Sequence, residues 1–182
     1  MNFLRFIRMR FAGRADTEHE QALLRVIILV AFFGYLIPDA TKHSADWVYA
    51  SWLMTATYIV ATLAILACIL AWPQPSPARR VIGNVLDVVA ITFFMIEGND
   101  HTAPLVSLYL WVTFGCGFRF GANYLLISLA LSAVGFIIVL GTSDYWALNR
   151  TLGIGLLAGM ILLSLYVLML VKRLHEAVER AE

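Results

Sequence analysis

One stretch of this chain leaves folding little freedom: from Trp47 to Trp72 the sequence is a largely apolar run without a single charge, stopped only by "PQPSP". A second run, Leu152 to Val171, is of the same kind. At 1.5 Å of rise per residue, about 20 residues of helix cross a hydrocarbon core about 30 Å thick. Segments this long and this apolar are membrane spans. Composition agrees, with 61% hydrophobic and 14% charged residues among 182. A soluble domain sits near half apolar and about a quarter charged. The implied class is an integral membrane protein, all-α. Its net charge of +1 is spread among loops and gathered on no one face, which argues against a nucleic-acid partner.

Four further apolar segments can be drawn: Ala22–Ile37, Val81–Ile96, Leu105–Phe118 and Tyr124–Leu140. The Leu105–Phe118 segment is short for a span, so the expectation is a polytopic bundle of six transmembrane helices, or five if that segment does not cross. The connections "PDATKHSAD", "PQPSPARR", "EGNDHTAP", "RFGAN" and "GTSDYWALNR" leave no room for a soluble domain between spans. Three regions follow: a basic amphipathic segment and charged cap over 1–21, the bundle over 22–171, and the start of a coiled coil over 172–182. With six spans and a cytoplasmic N-terminus, ten basic residues fall inside (Arg5, Arg8, Arg10, Arg14, Arg79, Arg80, Arg119, Lys172, Arg173 and Arg180) and only Lys42 and Arg150 outside. The positive-inside rule therefore places both termini in the cytoplasm of a multi-pass inner-membrane protein. Trp47, Trp72 and Trp146 fall where an aromatic belt would sit.

Charge clusters in "GRADTEHE" just ahead of the first span. Thr17-x-x-Glu20 fits a capping box, and Glu18 with Glu20 would face the positive end of the helix dipole. A capped helix start and a polar recognition site at the membrane surface both fit this spacing. Arg25, one turn into the first span, is placed to snorkel. Asn84 and Asp87 lie inside the third segment and Arg119 ends the fourth. Ionisable groups at such positions face a bundle interior or a cavity, or in the case of Asp87 reach back toward Arg79, Arg80 or interfacial water. Gly117-x-x-x-Gly121 and Gly155-x-x-x-Gly159 permit close helix approach, expected within the bundle. Cys68 and Cys116 read as small buried hydrophobes, with neither a disulfide nor a metal implied.

The last span runs on into "LVKRLHEAVERAE" without Gly or Pro. Val171, Leu174, Val178 and Ala181 keep the 3-4-3 spacing of a coiled-coil seam, so one continuous exit helix is expected from Leu152 onward. The histidines are scattered, and no H-E-x-x-H, G-x-S-x-G or phosphate loop is present. Intrinsic catalysis and a cofactor are not expected.

At "GRADTEH", "PSPARRVIGNVLD" and "LYLWVTFGCGFRFGANYL" the chain resembles the membrane input domain of RpfC-type hybrid sensor histidine kinases, the receptors for diffusible signal factor in Xanthomonas-type bacteria. The resemblance covers nearly the whole chain. It implies a receptor for cis-2-unsaturated fatty acids that regulates a kinase, in cis or as a partner, through its last helix, with a homodimer expected from kinase coupling. The family's sensing residues ahead of the first span fall on Asp16, Thr17 and Glu18, with Thr17 in place of a serine. The family is usually described with five spans and this stretch outside, whereas the charge count favours six with it inside. No phospho-acceptor, ATP-binding, receiver or phosphotransfer region is present, which leaves an excised input domain or a stand-alone adaptor akin to RpfH. A fatty-acid tail would lie among the spans and the bilayer lipids, its carboxylate near Arg14 or Arg25. Asp16 and Glu18 would hold those cations or form a latch.

Overall fold

The computed structural model describes residues 21, 24–28, 30–31, 45–72 and 74–180, and among them every regular element is a helix. Residues 24–28 and 30–31 are helical within the first apolar segment. After them come α1 (Ala45–Ala71), α2 (Pro77–Glu97), a 3-10 turn (Ala103–Leu105), α3 (Val106–Phe120), α4 (Ala122–Thr142), α5 (Asp144–Leu148) and α6 (Arg150–Glu179). Four stretches among the described residues are long and apolar enough to cross a membrane: Trp47–Ala71, Ala103–Phe120, Ala122–Thr142 and Arg150–Leu174. The described residues thus support four spans where six or five are expected. The first segment lies partly outside them. The third is α2, 21 residues long but carrying Arg79, Arg80, Asp87 and Glu97. The short fourth segment gains length because Pro104 stands in a 3-10 turn leading into α3. Proline is tolerated in a helix's first turn, where its missing N–H would have had no partner.

The chain divides into two compact units, Met1–Gly83 and Asn84–Glu182. In the first, α1 turns its polar residues inward. Ser51, Thr55, Thr62 and Ile69 form a buried stripe at helical spacing, while Trp52, Leu53, Val60 and Leu63 are exposed. In water that pattern would be inverted; against lipid it costs nothing. Thr55 and Thr57 donate to the carbonyls of Ser51 and Leu53 at 2.7 and 2.8 Å, so their hydroxyls need no other partner in an apolar setting. The Arg79 guanidinium closes the end of α1, donating to the Trp72 carbonyl at 3.1 Å and the Gln74 carbonyl at 2.8 Å. The Trp72 carbonyl, just past the end of α1, is one that a helix C-terminus leaves without an intrahelical partner, and that of Gln74 lies in the connection.

The second unit is organised on α4, which packs against both α3 and α6. Gly121 alone joins α3 to α4, at φ 94° and ψ −179°. That backbone region is essentially glycine-only, which is why "RFGAN" can reverse the chain in one residue. Four residues earlier, Gly117 lets the hairpin close: a Cβ there would stand 2.9 Å from Leu125 Cβ. Leu125 in turn packs with Val167 and Val171 of α6, with Phe114, Ala122 and Leu168 around them. Gly155 and Gly159, by contrast, are exposed, and the close approach expected there is not made among the described residues.

One connection holds more structure than its sequence suggests. "GTSDYWALNR" contains α5, which carries Trp146 into the interior with its ring edge-to-face on Phe136 at 5.3 Å. Phe136 continues to Tyr109 at 6.0 Å, so an aromatic column runs from α5 through α4 to α3. Trp146 is 1% exposed and does not belong to an interfacial belt, whereas Trp72 is exposed at the end of α1. Of the cysteines, Cys116 is buried as expected and Cys68 is exposed; both are free. α6 is one 30-residue helix, unbroken from Arg150 to Glu179. Among the α6 residues whose burial is described Val171 is the last buried one, and Leu174 beyond it is 61% exposed.

Candidate functional site

Within the second unit the interior is polar at its centre. Asn84 and Asp87 are buried on α2, Thr113 on α3, Ser128 and Ser132 on α4, and Ser164 on α6. The outward faces carry Trp111, Phe118, Ile137, Leu162 and Tyr166, all exposed. Helical periodicity explains how each face is made. Asn84, Asp87 and Ile91 recur at three and four residues, as do Ser128, Ser132, Gly135 and Val139, so each set lines one side of its helix.

Three side-chain hydrogen bonds tie three helices into a closed ring. Ser128 on α4 donates to Asn84 Oδ1 on α2 at 3.1 Å. Thr113 on α3 and Ser132 on α4 share a bond at 3.2 Å. Thr92 on α2 and Tyr109 on α3 share one at 2.7 Å. Thr92 already donates its one proton to the Val88 carbonyl at 2.7 Å, so the Tyr109 hydroxyl must be the donor to Thr92. Each bond joins a different pair among α2, α3 and α4. Where lipid removes the hydrophobic drive for helix association, such bonds contribute about 0.6 kcal/mol each on average. The remaining cohesion comes from close contact. At Gly135 of α4 a Cβ would stand 2.7 Å from Thr92 Oγ1, 3.0 Å from Val88 Cγ1 and 3.3 Å from Tyr109 Cε1.

This polar interior with an apolar exterior suits a bundle of membrane-spanning helices. Among the described residues no three His, Cys, Asp or Glu side chains gather as a metal site would require. Comparison with known proteins specifies the reading further. Over 178 residues, 98% of the chain, it is 35% identical to the sensory/regulatory protein RpfC of Xanthomonas campestris pv. campestris, in each of two strains. It is similar to a region of RpfC over nearly its whole length. The chain spans 24% of the length of those RpfC relatives. No family model and no solved structure matches it.

Of the residues expected to matter in this RpfC-like region, Asn84 and Asp87 lie in the buried interior, Asn84 as a hydrogen-bond acceptor in the ring. Arg119 is half-buried in the last turn of α3, near Gly115. Arg25 does not snorkel to the surface. It is 6% exposed, and its guanidinium lies over Gly83, where any Cβ would collide with it. Arg14, Asp16, Thr17 and Glu18, with the capping box and the amphipathic N-terminal segment, lie outside the described residues. The polar layer also includes Tyr109, Thr113, Ser128, Ser132 and Ser164, which the sequence reading did not single out. Their signal is hydroxyl residues four apart inside apolar spans, as in Tyr109 with Thr113 and Ser128 with Ser132.

Proposed function

We propose that this chain is the membrane sensor domain of a two-component hybrid histidine kinase, that it binds a cis-2-unsaturated fatty-acid signal, and that α6 carries the resulting change to a kinase in cis or a partner kinase. The observation that carries this reading is 35% identity to RpfC over 98% of the chain. The continuous α6, which runs on past Val171 to Glu179, supports the relay. On this reading the protein is a homodimer of the bacterial inner membrane, with residues 172–182 beginning a coiled coil.

A medium-chain fatty acid enters the bilayer at about 0.8 kcal/mol per buried CH₂, so its tail needs little from the protein. Its carboxylate supplies the specificity and needs a cation. Arg14 and Arg25 serve that role, with Asp16, Thr17 and Glu18 as the cap or latch that the ligand rearranges. Only a ligand that favours one state of the bundle over the other shifts the population and produces a signal.

The test is binding of radiolabelled cis-2-unsaturated fatty acid to the full chain in nanodiscs. Saturable binding that weakens at least about tenfold, or about 1.4 kcal/mol, in R14A or R25A supports the assignment. Binding unchanged in both variants refutes the role of those cations. No saturable binding at all refutes the receptor and leaves a membrane adaptor that modulates its kinase without a ligand.

A further inference from the structure

The charges of the second unit are sorted by end. Glu97, Asp100 and Asp144 stand where α2 finishes and α6 begins, together with His101 and Arg150. Arg119, Lys172 and Arg173 stand at the opposite end. Asp87 lies in the interior. Glu176 and Glu179 come one and two turns further along α6 than Lys172, and Glu176 is bonded to Arg180 at 3.3 Å. Among the described residues, none of Arg119, Lys172 and Arg173 makes an ion pair.

The three cations share one level. Leu125 packs with Val167 and Val171 of α6, and Gly117 of α3 lies against the same leucine. α3 and α6 also touch each other directly. Arg119 is two residues past Gly117, and Lys172 and Arg173 follow Val171, so all three start within about one turn of that contact along the axis. Lys172 stands one turn beyond Leu168, which packs on the same cluster, so it leaves α6 on the side that faces the α3–α4 hairpin. Arg119 points back along its helix: its guanidinium lies beside Gly115, with Nη1 3.8 Å from where a Cβ there would stand. Helical side chains lean toward the helix N-terminus, and for α3 that direction runs into the membrane span. Gly115 and the exposed Trp111 continue the same face at four-residue spacing.

A half-buried guanidinium directed along a span is costly unless an anion meets it. A soluble acidic partner does not reach that depth, whereas a lipid headgroup lies there already. We propose that Arg119, Lys172 and Arg173 bind the phosphate of an anionic phospholipid, its headgroup bridging the α3–α4 hairpin and α6 and one acyl chain lying along Gly115 and Trp111. Basic pockets between spans hold lipid head groups in this way. The guanidinium fork matches phosphate oxygens and the ammonium adds a point charge. Three cations repel the ammonium of a zwitterionic headgroup, which makes the site selective for anionic lipid. The site stands apart from the receptor reading and does not depend on it.

The test is native mass spectrometry of the full chain in micelles, titrated with phosphatidylglycerol or with phosphatidylcholine of the same acyl chains. Phosphatidylglycerol is expected to bind at least about tenfold more tightly. Each cation lost near the surface weakens binding about fivefold, so R119Q is expected to lose about fivefold and K172Q/R173Q about twenty-fivefold. R119K keeps the charge and is expected to stay close to the parent. R180Q removes a charge that already has a carboxylate partner and is expected to change nothing. Equal binding of the two lipids overturns the proposal. So does phosphatidylglycerol binding that survives both R119Q and K172Q/R173Q, or that falls as far in R180Q. K172Q/R173Q alters only exposed positions, so the test stands even if R119Q does not fold.

Discussion

Gly135→Ala is the sharpest test of how tightly the bundle is built, because it adds one methyl where three helices meet. That methyl carbon would stand 2.7 Å from Thr92 Oγ1 and 3.0 Å from Val88 Cγ1, well inside van der Waals contact. Neither neighbour can yield cheaply. Valine and threonine are β-branched and stiff at χ1. Thr92 is also held at both ends, donating to the Val88 carbonyl and accepting from Tyr109, each at 2.7 Å. Overpacking a close-packed interior costs about 1–3 kcal/mol. Displacing Thr92 forfeits an interhelical hydrogen bond worth about 0.6 kcal/mol more. We expect G135A to destabilise the bundle by about 2–3 kcal/mol, measured by reversible steric-trap unfolding in micelles. Y109F removes the hydroxyl that pins Thr92, so G135A should cost about 1 kcal/mol less in that background, a coupling of the size expected between residues in contact. A neutral G135A, or equal costs in both backgrounds, would refute the packing described here.

Other substitutions probe separate parts of the fold. Gly121→Ala meets no neighbouring atom within 4 Å, so its whole effect is backbone strain at φ 94°, about 1–3 kcal/mol in the same unfolding assay. S128A strands the buried Asn84 carbonyl oxygen and should cost about 1–2 kcal/mol, and N84A/S128A together should cost less than the sum of the singles. F136A opens the aromatic column between Tyr109 and Trp146 and should cost about 3–5 kcal/mol, with a shift in tryptophan emission as Trp146 loses its edge-to-face partner. Cysteine accessibility in intact cells should find the N-terminus cytoplasmic, as the charge distribution predicts; labelling from outside would overturn that orientation.

Fold class was legible because hydropathy is a long-range property of the chain, and α1, α4 and α6 coincide with its longest apolar runs. Boundaries were harder wherever a local backbone device overrode the hydropathy. Pro104 starts helical structure ahead of the apolar run, and Gly121 compresses a five-residue connection into one. Trp146 was misplaced because a tryptophan in a polar connection usually marks an interface. Only the short helix α5, and the room left by Gly153 beside the indole, turn it inward.

The site was legible only in its most polar members. Asn84 and Asp87 stand out in an apolar segment because their side chains have no cheap place in lipid, and both lie in the interior. Serine and threonine give no such signal singly, since either can donate to the carbonyl four residues back, as Thr55 and Thr57 do. What separates the two uses is spacing on the interior face. Ser128 and Ser132 are four apart on the same side of α4 as Gly135, and each bonds a different helix. Gly155 and Gly159 share that four-residue spacing yet face outward, so small or polar residues four apart mark a helix face without saying what it meets. A second helix must present its own partners at the same depth. By that criterion Thr113 and Asn84 complete the layer, and Ser164 is buried beside it without a hydrogen bond among the described residues, on the helix that runs to Glu179.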